Sequence, residues 1–227
     1  MNKKTKIGVI GVGHLGQHHT KHYSNIVGAN LVGVFDLNQE RGKAVAEKHA
    51  IKAYKSLSDL LSNTEAVSVV TPTEEHKNVA EQCIKKGKHV FIEKPITKTV
   101  AEAELLIALA KEKGTIIQVG HIERLNAALL PLEEFDINPK YIEVQRLAPY
   151  MSRGTDVPVV LDLMIHDIDL VLALVKSPIK EISANGISIM TDSVDMANAR
   201  IQFKNGVVAN ITSSRVAKDR VRKMKVF

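Results

Sequence analysis

The sequence predicts an α/β half built on a mostly parallel sheet, followed by an α+β half with an open antiparallel sheet. Three observations predict it. Short apolar strand-like runs alternate with single helical runs from Lys6 to Val119, the pattern of βαβ units. The first such run ends in Gly11, Gly13 and Gly16, spaced G-x-G-x-x-G. Past Gly120 the rhythm changes to one long apolar helix and several strand-like runs, two of them joined by Asn205-Gly206, a strong hairpin signal. The expected boundaries are residues 1–121 and 122–227.

Taken in order, the first half offers strands at Lys6–Ile10, Leu31–Phe35, Ala66–Val70, His89–Ile92 and Thr115–Val119. Ala50–Tyr54 is a short extra one. Helices are expected near Leu15–Ile26, Asn38–His49, Glu74–Lys86 and Val100–Lys113. The last is the clearest, because Ala103, Leu106, Ile107 and Ala110 recur at helical spacing and Lys113-Gly114 makes a C-terminal stop. The second half offers a strand at Tyr141–Ala148 and a helix from Pro158 to Val175, ended by Lys176-Ser-Pro178. Strands at Ile179–Ile189, Met196–Phe203 and Val207–Ser213 follow. The sequence ends inside a further strand-like run, from which an incomplete second half is expected. There is no internal repeat and no low-complexity segment.

Composition narrows the class. Hydrophobic residues are 44% and charged residues 25%, ordinary for a soluble globular chain. No apolar run approaches the roughly 18 residues of a membrane span, and the basic start MNKKTK precedes only a short, glycine-broken apolar segment, so the cytoplasm is the default expectation. The single cysteine, Cys83, excludes an intramolecular disulfide and reads as packing. The net charge of +6 suits an anionic ligand. Aromatics are only 4% and the lysines are dispersed, which argues against nucleic acid.

The glycine stretch follows a buried strand and opens a helix. Gly11 allows the tight turn, Gly13 lets a pyrophosphate approach the backbone, and Gly16 lets helix and strand pack closely. The helix N-terminus offers free N–H groups to the phosphates. Asp36 ends the second strand, twenty residues after Gly16, where a dinucleotide domain places the acid that binds the adenosine ribose. A carboxylate there repels a 2′-phosphate, so NAD is expected over NADP, with Arg41 close enough to leave some tolerance for NADP.

Other candidates sit at the carboxyl ends of strands. Thr71-Pro72-Thr73 follows the fourth, where a loop can lie along a cofactor. Glu93-Lys94-Pro95 follows the fifth; a lysine there can polarise a hydroxyl or stabilise a developing alkoxide. On the apolar helix, Asp162 and His166 stand at i and i+4, with Asp169 three further on. A buried imidazole and carboxylate need partners, and the pair resembles an oriented general base. Arg124 and Asn126, in Gly120-His-Ile-Glu-Arg-Leu-Asn126, are candidate donors to substrate oxygens, and the loop residue Arg153 is a candidate to bind a phosphate or carboxylate. His18 and His22, with His14 and His19 nearby, read as exposed helix histidines, and no metal is expected.

The ordered set Gly11–Gly16, Asp36, Thr71–Thr73, Glu93–Pro95, 120–126 and 162–166 resembles the glucose–fructose oxidoreductase / inositol dehydrogenase / MocA (Gfo/Idh/MocA) family, over the whole chain. The resemblance implies a Rossmann domain plus an open-sheet domain, a substrate between them, and catalysis by Lys94, Asp162 and His166. It implies a cofactor set of Gly11, Gly13, His14, Leu15, Gly16, Asp36, Thr71, Pro72, His76, Glu93 and Lys94. It implies a substrate set of Lys94, Arg124, Asn126, Arg153, Asp162 and His166. The segments at 120–126 and 161–170 look most like the bacterial sugar-nucleotide 3-dehydrogenases, which implies a sugar-nucleotide substrate of UDP-N-acetylglucosamine type and a homo-oligomer when full length. A free-sugar or inositol dehydrogenase, or a non-catalytic NAD-binding regulator, are the alternatives. Leu125-Asn-Ala127 departs from the Phe-Asn-Pro common in relatives, and family members run about a hundred residues further.

Overall fold

A computed structural model describes residues 3–135, 137–151 and 157–227. The chain forms two compact units, Met1–Gly120 and His121–Phe227.

In the first unit the strands are β1 (Thr5–Ile10), β2 (Ala29–Phe35), β3 (Lys52–Ala53), β4 (Ala66–Val69), β5 (His89–Ile92) and β6 (Ile117–Val119). They pair in the order β3-β2-β1-β4-β5-β6, every pair parallel. The order reverses between β1 and β4, which opens a crevice at their carboxyl ends. The helices are α1 (His14–Tyr23), α2 (Gln39–Lys48), α3 (Leu57–Ser62), α4 (Thr73–Lys85) and α5 (Val100–Lys113). The short α3 was not expected from periodicity. Its signal is local, since the Ser56 hydroxyl accepts from the Asp59 N–H. By contrast α5 matches the expected span, with a Thr99/Glu102 capping box and a left-handed Gly114 at its end.

Successive strand residues face opposite sides of this sheet. Val9 and Val34 join a core with Val12, Val45 and Ala46. Ile10 and Val67 join the larger one with Leu60, Ile84 and Leu106. Cys83 lies in that larger core and is fully buried, so it packs as expected, and burial pushes its thiol up to about 12.

The second unit carries β7 (Tyr141–Leu147), α6 (Ile165–Val175), β8 (Ile179–Ile187), β9 (Met196–Phe203), β10 (Val208–Ser214) and β11 (Val221–Val226). The strand order is β11-β7-β10-β9-β8. The expected antiparallel pairing holds except at β7–β10, which is parallel. The reason is topological. The run β8-β9-β10 is a meander, so β8 and β10 point the same way as β7. The β7-to-β8 connection is therefore a crossover and needs a helix, which α6 provides. The Asn205-Gly206 turn joins β9 to β10, with Gly206 at φ +89°. Inward residues Ile142, Val144, Ala199, Ile201, Ala209 and Ile211 pack with Met164, Val171 and Val175.

The expected helix from Pro158 is not uniform. A single π turn, Val160–Met164, precedes α6. Such turns insert an extra residue into a helix and concentrate at functional sites. Asp162 lies in that turn and His166 in the first turn of α6.

Candidate active site

The glycine loop lies at the carboxyl end of β1. Gly11 adopts φ +82°, and a Cβ there would stand 2.7 Å from the Val70 carbonyl oxygen; only glycine fits. The next contact fixes the turn: the Gly11 N–H donates to the Phe35 carbonyl at 2.8 Å. A Cβ at Gly16 would overlap the Gly11 carbonyl oxygen, whereas nothing lies within 4 Å of a Cβ at Gly13. Gly13 also caps α1 without a side-chain hydrogen bond, and the first turn of α1 holds no acidic residue. The turn presents unshielded N–H groups beside an open cradle, the arrangement that suits an anion. His14 and Leu15 stand exposed on that first turn.

Asp36 is buried, 4% exposed. Its Oδ2 accepts from the Val12 N–H at 2.8 Å and from Arg41 Nε at 3.0 Å. Its Oδ1 accepts from the Asn38 N–H at 2.8 Å and from Arg41 Nη2 at 2.8 Å. Burial alone would raise this carboxyl. The hydrogen bonds from Arg41, Val12 and Asn38 outweigh it and hold the group below its ordinary value.

Thr71 and Pro72 lie between β4 and α4. Pro72 stands at the N-cap position of α4, and the Thr71 hydroxyl oxygen is buried without a hydrogen-bond partner. The open space at Gly13 and this orphaned hydroxyl are both features that a bound dinucleotide would use. The residues present therefore fit NAD.

His76 is buried between two loops. Its ring is 1% exposed, and its nitrogens lie 2.8 Å from the Pro95 carbonyl and 2.9 Å from the Thr71 carbonyl. It sits between the loops that follow β4 and β5, and a neutral ring donates to one of these two carbonyls.

Lys94 directly follows Glu93 at the end of β5, and the Lys94–Pro95 peptide is cis. The Glu93 carboxylate lies 2.9 Å from His19 Nε2. His19 Nδ1 lies 2.8 Å from the Ser68 hydroxyl, and Ser68 is fully buried. His18 and His22 are exposed as expected, but His19 is not. The missed signal was its place three residues after Gly16, on the same inward face as Gly16 and Thr20.

In the second unit, a short 3-10 turn at Ile122–Leu125 carries Arg124. Its guanidinium forks onto Asp169, at 2.7 and 2.6 Å. The Asn126 side chain bonds Glu123 and the Ala128 N–H, at 3.1 and 3.0 Å. Arg124 thus ties this turn to α6, and Asn126 bonds within its own segment. Arg153 lies outside the described residues.

A buried charge cluster adjoins His166 in sequence. Arg146 forks onto Asp167 at 2.8 Å for both bonds and lies 3.4 Å from Glu123. Burial would raise Glu123; the Asn126 hydrogen bond and the charges of Arg146, His166 and Arg222 bring it below its ordinary value. This cluster was missed as well. The signal was there in β7, where Arg146 shares the inward phase of Ile142 and Val144. Among the described residues, no group of three or more His, Cys, Asp or Glu side chains is arranged to hold a metal ion.

The strand order, the glycine cradle and the acid at the end of β2 define a dinucleotide-binding Rossmann domain. The Gfo/Idh/MocA model for an oxidoreductase family with that fold matches residues 5–121, and the Gfo/Idh/MocA C-terminal domain matches residues 141–227. This chain belongs to the Gfo/Idh/MocA family and is a dehydrogenase with NAD as its cofactor. It is 43% identical to UDP-N-acetylglucosamine 3-dehydrogenase of Acidithiobacillus ferrooxidans, over 98% of this chain and 71% of that protein. The crystal structures of that enzyme include one that superposes with a TM-score of 0.94 at 42% identity, over 99% of this chain and 74% of the other. Myo-inositol 2-dehydrogenase of Thermotoga maritima is 30% identical, over 93% of this chain and 69% of that protein.

Proposed function

We propose that the protein oxidises the 3-hydroxyl of a UDP-N-acetylglucosamine-like sugar nucleotide to a 3-keto sugar. The observation that carries this reading is the 43% identity to an enzyme of that name across 98% of the chain. The Gly11–Gly16 cradle and the buried Asp36 support the cofactor side of it.

Bound NAD supplies the hydride acceptor. The Lys94 ammonium hydrogen-bonds the reacting hydroxyl oxygen and stabilises the developing alkoxide. His166 accepts the hydroxyl proton as general base, with Asp162 orienting its ring. General base catalysis contributes roughly 10²–10⁴-fold. The O–H proton goes to the imidazole, the C–H hydride leaves with its electron pair, and the carbon becomes a ketone. Arg124 and Asn126 take an indirect role here, holding the turn before β7.

The similarity to a myo-inositol 2-dehydrogenase favours a second reading, an inositol or free sugar as substrate. An assay with NAD against UDP-sugars, free sugars and inositols separates the two. The first reading expects nicotinamide reduction with UDP-N-acetylglucosamine and little with inositols. The proposal includes a cytoplasmic location, consistent with the finding that no described helix is long and apolar enough to cross a membrane. It also includes a homo-oligomer, supported by the exposed apolar Ile182 and Ile187 on the edge strand β8. Sedimentation velocity tests that part.

A further inference from the structure

The role of Lys94 depends on where its backbone is held, and the two residues flanking it are met by two imidazoles, His19 half-buried and His76 buried. On the near side is Glu93, whose carboxylate meets His19 Nε2 at 2.9 Å. A carboxylate oxygen accepts, so Nε2–H is the donor. The other nitrogen of the same ring meets the Ser68 hydroxyl at 2.8 Å. The ring edge packs against Phe91, with centroids 5.5 Å apart. Gly120 also lies close to this carboxylate: a Cβ there would stand 3.0 Å from Glu93 Oε1 and 3.1 Å from Oε2. On the far side is Pro95, whose carbonyl oxygen lies 2.8 Å from His76 Nδ1. The carboxylate therefore has a donor in His19 and little spare room at Gly120, and the segment is met again by His76 one residue past Lys94.

We propose that His19 is a positioning residue for Lys94, acting through Glu93. The imidazole meets Ser68, Glu93 and Phe91. It spans α1, β4 and the end of β5, and so ties the glycine-loop helix to the segment that carries the lysine. The proposal rests on the catalytic role given to Lys94 above.

The test separates the two ring nitrogens. His19→Gln keeps a donor at the Nε2 position and so keeps the Glu93 bond. His19→Asn keeps only a group at the Nδ1 position, next to Ser68. With NAD and UDP-N-acetylglucosamine, His19→Gln should turn over close to the parent rate. His19→Asn should lose about 10- to 100-fold in kcat, the scale of an ångström of misplacement, with KM for NAD little changed. Amide hydrogen exchange across residues 89–97, measured without substrate, should be faster in His19→Asn and parent-like in His19→Gln. If His19→Asn does not fold, Glu93→Asp, which withdraws the carboxylate from Nε2, should give the same pair of signatures. Parent-like kcat and exchange in His19→Asn or in Glu93→Asp would overturn the proposal. So would equal impairment of the Gln and Asn variants. If the parent itself shows no turnover, the substrate reading has failed, and the exchange comparison alone decides the role of His19.

Discussion

The guanidinium of Arg41 forks onto the carboxylate of Asp36, Nε to Oδ2 at 3.0 Å and Nη2 to Oδ1 at 2.8 Å. With the Val12 and Asn38 N–H groups, each carboxylate oxygen accepts two hydrogen bonds. A carboxylate has about four such sites, so ribose hydroxyls must displace Arg41 to bond there. Arg41→Ala should therefore tighten NAD binding, by up to about tenfold, the low end of a charge-assisted hydrogen bond. It should also lower the residual use of NADP, because the cation best placed to meet a 2′-phosphate is gone. Fluorescence titration with both cofactors checks this; weaker NAD binding in Arg41→Ala would count against it.

The same carboxylate predicts a pH dependence of stability. Its folded-state value is depressed, below about 3.9 in the unfolded chain. The contribution is thus fully present above pH ~4 and is lost as pH falls through the lower folded value. Asp36→Asn should unfold with a shallower dependence on pH below ~4 than the parent, measured by thermal denaturation across an acid series.

Gly13 and Gly16 should behave differently under the same substitution. At Gly13 an added methyl meets nothing within 4 Å, so Gly13→Ala should keep its melting temperature while losing NAD affinity. At Gly16 the methyl overlaps the Gly11 carbonyl, so Gly16→Ala should be destabilised before any cofactor is added. Calorimetry with and without NAD distinguishes the two. Equal melting temperatures for both variants would contradict the loop geometry.

Arg146 and Asp167 form a buried pair, with side chains 8% and 3% exposed. Asp167→Ala leaves a buried guanidinium with, among the described residues, the longer contact to Glu123, and should cost about 3–5 kcal/mol. Denaturant unfolding measures it. A cost near zero would mean that water reaches Arg146.

Periodicity carried most of the fold because these strands are buried and short and their helices are capped by local residues. Val100–Lys113 shows this best: its cap, apolar stripe and glycine stop all lie within sixteen residues. The parallel β7–β10 pair was not legible, since pairing direction depends on contacts between segments more than sixty residues apart. The π turn at Val160–Met164 has no sequence period of its own. In the site, Gly11, Gly13 and Gly16 were readable because their chemistry is backbone chemistry at fixed spacing. The exposure of His19 was misjudged for a physical reason. A histidine on a mostly polar helix gives no sign of which loop carbonyl or carboxylate will meet it. Asp36 was correctly placed at the end of β2, but its saturation by Arg41 is a side-chain arrangement that spacing does not encode.

The measurement that bears most directly on the proposed activity is isotope transfer from a labelled substrate. UDP-N-acetylglucosamine deuterated at sugar C3 is incubated with NAD and the protein, and the nicotinamide product is analysed by mass spectrometry. The account predicts deuterium on the reduced nicotinamide, and its loss in Lys94→Ala and His166→Ala. Reduced nicotinamide without deuterium, or undiminished transfer in both variants, would contradict it.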